Sequence, residues 1–249
     1  MIHRGPSGRR HPGHVARLLS ALLATVLIAG CGTTDPEPDG PPLRLSAAEY
    51  RTLVRDDRQA RRAVERVVTV TPRTADRLAR NQRRTCRRMA RSGPVLRRLA
   101  PACEASVQMV TASVALPSQV QGCGENPGCV SATILRLELP LTVLWGADQQ
   151  ARRALSGLRA GDACRDYLLG SDEQSALLRD MILTLRAVKE GQRRLQAAES
   201  RRDAERIIGE LHDAAREHDR TSQRFAALTL RAADVRPTVC RDDVAGPRS

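Results

Sequence analysis

The sequence predicts an all-α protein, a single helical bundle of about five or six helices stapled by disulfides. Three observations predict it. The apolar residues are mostly Ala, Leu and Val, and the aromatics are only Tyr50, Trp145, Tyr167 and Phe225. Strands favour aromatic and β-branched residues, whereas Ala, Leu, Arg, Glu and Gln favour helix. Helix start signals recur at Ser46, Thr71-Pro72 and Ser171. Six cysteines, at 86, 103, 123, 129, 164 and 240, form an even set suited to three bridges.

Taken in order, Ser46-Ala47-Ala48-Glu49 is a capping-box pattern. The serine caps the first turn while the glutamate reaches back. A helix over about 46–70 is expected, with Leu53, Ala60, Val64, Val67 and Val68 inside. Thr71-Pro72 then pairs a capping residue with proline at the first helical position. The helix it starts stops at Ser92-Gly93-Pro94.

That second helix carries the clearest pattern in the chain. At about 100° per residue, Arg73, Arg77, Arg80, Arg83, Arg84, Arg87, Arg88 and Arg91 fall within roughly 140° of arc. Leu78, Ala79, Gln82, Thr85, Cys86 and Met89 occupy the opposite side, and Asp76 is the one acid on the basic face. The pattern predicts a bundle helix with Cys86 turned toward a buried partner.

Residues 95–117 predict further helix, interrupted at Pro101 and ended by Pro117, with a loop over 118–129. Val130 to Leu158 is the most apolar helical region and predicts the buried centre, with a kink or split at Pro140. Ser171-Asp172-Glu173-Gln174 is a second capping box. No proline follows until beyond Asp234, yet the apolar stripe changes face. Leu178, Met181, Leu185, Val188 and Leu195 share one side; Ala204, Ile207, Leu211, Ala215 and Phe225 share another. One straight helix cannot bury both against the same core. Two antiparallel helices are expected, with a turn near 199–202 and Ser200 as the cap.

The cysteines fit this plan. Six allow fifteen pairings. Three local or hairpin-closing bridges are favoured: Cys123 with Cys129 across a loop of turn residues, Cys86 with Cys103 across the Ser92-Gly93-Pro94 break, and Cys164 with Cys240 at the outer ends of the C-terminal pair. A zinc site needs paired Cys/His spacings, and the chain has none. No metal and no cofactor is expected.

The seventh cysteine, Cys31, has a different setting. A basic leader (Arg4, Arg9, Arg10, Arg17) precedes an apolar run from Leu18 to Ala29, then Gly30-Cys31. A positive n-region, an apolar core of ~7–15 residues and small residues at the cleavage point make a secretory signal. The run falls short of the ~20 residues of a spanning helix. Leu27-Ile28-Ala29-Gly30-Cys31 resembles the signal peptide and lipobox of bacterial lipoproteins. The resemblance covers residues 1–31. It implies that Cys31 is lipidated with a diacylglyceryl group and begins the mature protein, placing the chain at the cell membrane on its extracytoplasmic side. Export also favours disulfides. The expected organisation is a signal peptide over 1–30, Cys31 and a flexible linker to 45, a bundle over 46–241 and a disordered tail over 242–249.

Charge is uneven. The formal net charge is +13. Without the four leader arginines, 37 basic residues face 28 acidic ones, and 17 of the basic residues but only 9 acids lie between 31 and 110. Arginine suits phosphate because the guanidinium offers paired donors. The arc from Arg73 to Arg91 is therefore the candidate anion-binding face, with anionic lipid or cell-wall polymer as partner. Nucleic acid is not expected, because stacking aromatics are missing. The bundle could instead enclose a cavity for a small apolar ligand, lined by Val130 to Trp145, or show its C-terminal pair to another envelope protein.

Catalysis lacks its usual parts. No G-x-S-x-G, phosphate-loop, zinc-protease or Glu-x-x-His motif is present. The mature chain's histidines, His212 and His218, are expected on a solvated face beside Glu217 and Asp219. The expected function is that of a non-enzymatic, lipid-anchored envelope protein.

Overall fold

The computed structural model describes residues 41–65, 72–124, 127–158 and 161–245. Cys31, the leader, Val67, Val68 and residues 246–249 lie outside the described residues. The helices are α1 (Ala47–Glu65), α2 (Pro72–Ser92), α3 (Pro94–Gly122), α4 (Pro127–Leu135), α5 (Glu138–Leu155), α6 (Asp162–Leu169), α7 (Asp172–Gln196) and α8 (Arg201–Ala232), followed by a 3₁₀ turn at Pro237–Cys240. Six of these have 18 residues or more, as expected of the bundle, and α4 and α6 are short. There is no named strand among the described residues.

Both capping boxes form. Glu49 N–H donates to Ser46 Oγ (3.2 Å) and Ser46 N–H donates to Glu49 Oε2 (2.8 Å). Gln174 N–H donates to Ser171 Oγ and Ser171 N–H to Gln174 Oε1. Glu49 does more than cap its own helix. It is fully buried, and its Oε1 accepts the N–H groups of Val95 (2.8 Å) and Leu96 (3.0 Å) at the start of α3. One carboxylate thus satisfies orphan donors of two helices at the positive end of a helix dipole. Gly93 makes room for it, since a Cβ there would sit 2.3 Å from Glu49 Cδ.

The inner side of α1 is more polar than expected. Leu53 is buried, but so are Thr52, Asp56 and Asp57, and Ala60 is half-buried. The structured part also reaches beyond 46–241 at both ends. Leu43 and Leu45 are buried, and Leu45 pairs with Asp243 and Ala245 through its own N–H and carbonyl. The expected linker and tail therefore stop short of these residues, which backbone pairing and two buried leucines hold to the bundle.

The expectations at Pro101 and Pro117 need correction, while the split expected at Pro140 is present. α3 runs unbroken through Pro101 and Pro117 to Gly122, so most of the expected 118–129 loop is helix. A helix-interior proline costs about 3 kcal/mol. Against that, Val95, Leu96, Leu99, Cys103, Val107 and Val110 form one buried stripe across the proline, each apolar side chain contributing about 1.5–3 kcal/mol. Pro101 itself is exposed, so its missing N–H faces water. Near Pro140, α4 and α5 part at Arg136-Leu137, upstream of the proline. A proline ring collides with the carbonyl four residues earlier, here Arg136, and Pro140 settles in the first turn of α5. Nor is 130–158 the buried centre throughout. Leu137 and Leu141 are buried, while Leu139 is 72% and Val143 40% exposed.

The three bridges are Cys86–Cys103, Cys123–Cys129 and Cys164–Cys240, with Cα–Cα separations of 5.5, 5.5 and 4.7 Å. α7 and α8 form the expected antiparallel hairpin, its turn at 197–200 and Ser200 accepting from Asp203 N–H (3.1 Å). Leu178, Met181, Leu185 and Ile207 are buried between or beneath them; Ala215 is exposed. The core has two clusters. One gathers Leu45, Leu53, Leu96, Tyr167 and the Cys86–Cys103 and Cys164–Cys240 bridges. The other gathers Leu137, Leu141, Leu178, Met181, Ile182 and Leu185, with Trp145 and Phe225 against it. Among the described residues, 94–122 and 128–155 are long and apolar enough to cross a membrane. α3 nevertheless supplies much of the first cluster.

Candidate functional site

The amphipathic arc of α2 is laid out as its spacing requires. Ala79, Cys86 and Met89 are buried, which turns the opposite side outward. Arg73, Arg77, Arg80, Arg83, Arg84, Arg87 and Arg91 are exposed, and none of them is in an ion pair among the described residues. They extend over about 27 Å of helix at 1.5 Å per residue. Arg88 departs from the expected role. It is half-buried and turned to α1, where Nε and Nη2 donate to Asp56 Oδ1 at 3.1 and 2.6 Å and Nη2 also reaches Gln59. Arg88 therefore ties helices together and leaves the candidate face.

The face is wider than one helix. Arg51, Arg55, Arg58 and Arg62 recur at intervals of four, three and four on α1, and all are exposed. Arg55 approaches Asp56 Oδ1 from one side (3.7 Å) and Arg88 from the other. Asp56 thus lies between Arg55 of this second row and Arg88, which has left the first. This second row was readable at helical spacing but is masked in the sequence by the acids between its members. Asp56 is buried, and burial outweighs the guanidinium of Arg88, so its carboxyl is raised above the usual range.

A second feature lies between the two core clusters. A cavity of about 340 Å³ is bounded by α2, α3 and α5–α8. Of the stretch expected to line it, Leu137, Leu141 and Leu144 do so; α3, α7 and α8 supply most of the rest. Its polar wall includes Asp148, Arg152, Ser175 and His218. His218 thus leaves the solvated face predicted for it. Its Nδ1 lies 2.9 Å from Thr184 Oγ1, and burial lowers its pKa below the ordinary histidine value. His212, Glu217 and Asp219 are exposed. Among the described residues, no group of three or more His, Cys, Asp or Glu is placed to hold a metal ion. The chain matches no family model, no curated protein and no solved structure.

Proposed function

We propose that this chain is a lipid-anchored, extracytoplasmic, non-enzymatic module that lays the arginine faces of α1 and α2 on anionic lipid. The array itself carries the reading. Eleven arginines on two adjoining helices point outward without carboxylate partners among the described residues, apart from the long contact of Arg55 with Asp56. Paired guanidinium donors fit phosphate head groups. Each basic side chain near an anionic surface contributes about 1 kcal/mol. Tethering favours the same face. From a lipidated Cys31 to Ala47 the chain reaches at most about 56 Å, at ~3.5 Å per residue, so the start of α1 stays within about twice that helix's own length of the bilayer.

Sedimentation with vesicles tests this, using the disulfide-intact chain without its leader. Phosphatidylglycerol vesicles should carry it down at low salt and release it at high salt, while phosphatidylcholine vesicles should not. Neutralising Arg77, Arg80, Arg84 and Arg87 to Gln should weaken binding at least a hundredfold, taking about 1 kcal/mol for each. Equal binding by the variant, or none by the parent, would remove the proposal. Binding to isolated wall polymer alone would reassign the partner.

A further inference from the structure

We infer that the cavity between the two core clusters is a binding site for an uncharged, chain-like apolar molecule that carries a hydroxyl group. Its shape is the first argument. Along α3 the wall runs from Leu99 to Leu116, about 25 Å at 1.5 Å per residue. A space of about 340 Å³ drawn out over that length is narrow, yet it falls within the ~300–1,000 Å³ of small-molecule sites. The cavity has a cause in the sequence. Ala102, Ser106, Ala151 and Ala226 are small residues on facing helices, and only Phe225 and Tyr167 bring aromatic bulk.

The α3 wall does not call for water. Ser106 Oγ donates to Ala102 O (2.8 Å) and Ser113 Oγ to Met109 O (2.9 Å), so both hydroxyl donors are used within α3.

The remaining polar groups select the head group. Asp148 is only 9% exposed. Its Oδ2 accepts from Ser175 Oγ (2.6 Å), Arg152 Nε (2.9 Å) and Gln149 Nε2 (3.3 Å), while among the described residues Oδ1 accepts no hydrogen bond. Arg152 has all three nitrogens engaged by protein oxygens: Nε by Asp148, Nη1 by Asp172, and Nη2 by the carbonyls of Leu169, Gly170 and Ser171. At the other polar position, Thr184 Oγ1 donates to Met181 O (2.9 Å) and so accepts from His218 Nδ1. The neutral ring then has Nε2 as an acceptor. The lining offers these acceptors beside the neutral polar side chains of Gln174, Ser222 and Thr229, and its one guanidinium is fully engaged. A carboxylate or phosphate meets no free cation there and would bury an unmatched charge. A cation would have to compete for Asp148 with Arg152, which is already paired to it. A neutral hydroxyl matches both the donor and the charge requirement.

Native mass spectrometry of the disulfide-intact chain tests this with 1-decanol, decanoate and decylammonium as probes. One 1-decanol per chain is expected, with the two charged probes at least tenfold weaker. Ser106→Leu narrows the cavity and should weaken 1-decanol binding at least tenfold. Ser113→Leu serves the same purpose should the first variant lose its helical circular dichroism. Absence of 1-decanol binding, equal binding of all three probes, or binding unchanged in a folded cavity-filling variant would each overturn the assignment. None of these outcomes depends on the arginine face.

Discussion

Glu49 joins the start of the bundle to its middle, because its carboxylate caps both α1 and α3 while fully buried. Glu49→Ala leaves the buried N–H groups of Val95 and Leu96 without partners. A loss of roughly 2–4 kcal/mol is expected from the cap and the unsatisfied donors together, measured by urea unfolding. Gly93→Ala should lose stability in the same way, by driving Glu49 off those donors. Half of this was legible. Ser46 and Glu49 three apart announce a capping box, but nothing local announces partners 46 and 47 positions away. Tyr167 presents the opposite case. Among the described residues its buried hydroxyl has no hydrogen-bond partner, and burial beside Asp57 and Asp56 pushes its pKa up. Removing an unsatisfied buried group is neutral or stabilising, so Tyr167→Phe should leave the melting temperature unchanged or raise it. His218 gives the fold a pH response. Its folded pKa lies below 6.5, so the folded state prefers the neutral ring. The stability present above pH 6.5 is lost as pH falls through that value toward the lower folded pKa. In the His218→Gln variant, unfolding free energy should vary less across that window.

At the scale of elements, local signals located helix starts well and helix ends poorly. Ser46, Ser171 and Ser200 act as caps because a hydroxyl and its N–H partner lie three residues apart. Pro101 and Pro117 misled for one shared reason, whereas the split expected at Pro140 is present just upstream of it. A proline's cost is fixed and local, whereas the burial that outweighs it depends on neighbours distant in sequence. The half-buried His218 was missed on the same ground, since Thr184 lies 34 residues away. The cysteine pairs were legible because each flanks a turn or hairpin, so chain geometry restricted the choices. Their contributions should rank by loop length. Cys164–Cys240 closes 76 residues and Cys123–Cys129 closes 6. Chain-entropy reasoning then gives about 4.5 and about 2 kcal/mol. Denaturant unfolding of the Cys164→Ala/Cys240→Ala and Cys123→Ala/Cys129→Ala double variants should show the larger loss in the first.

Across the whole molecule, charge and packing divide the labour. The basic excess gathers on α1 and α2, next to the segment that leads back to Cys31, while the interior opens between α3, α5, α7 and α8. The arginine arc could be read from spacing alone, because an exposed face needs no knowledge of neighbours. The cavity's walls could be read only in part, through Leu137, Leu141 and Leu144, because a gap depends on how six helices meet. The account holds together only if the chain is exported, anchored at Cys31 and oxidised, since tethering presents the basic face and three bridges hold the bundle. Intact and non-reduced peptide mass spectrometry of the protein taken from its native membrane tests that most directly. The account predicts a mature N-terminus at Cys31 carrying a diacylglyceryl group, with Cys86–Cys103, Cys123–Cys129 and Cys164–Cys240 as the only linkages. An unmodified N-terminus, or free thiols at these six cysteines, would contradict it.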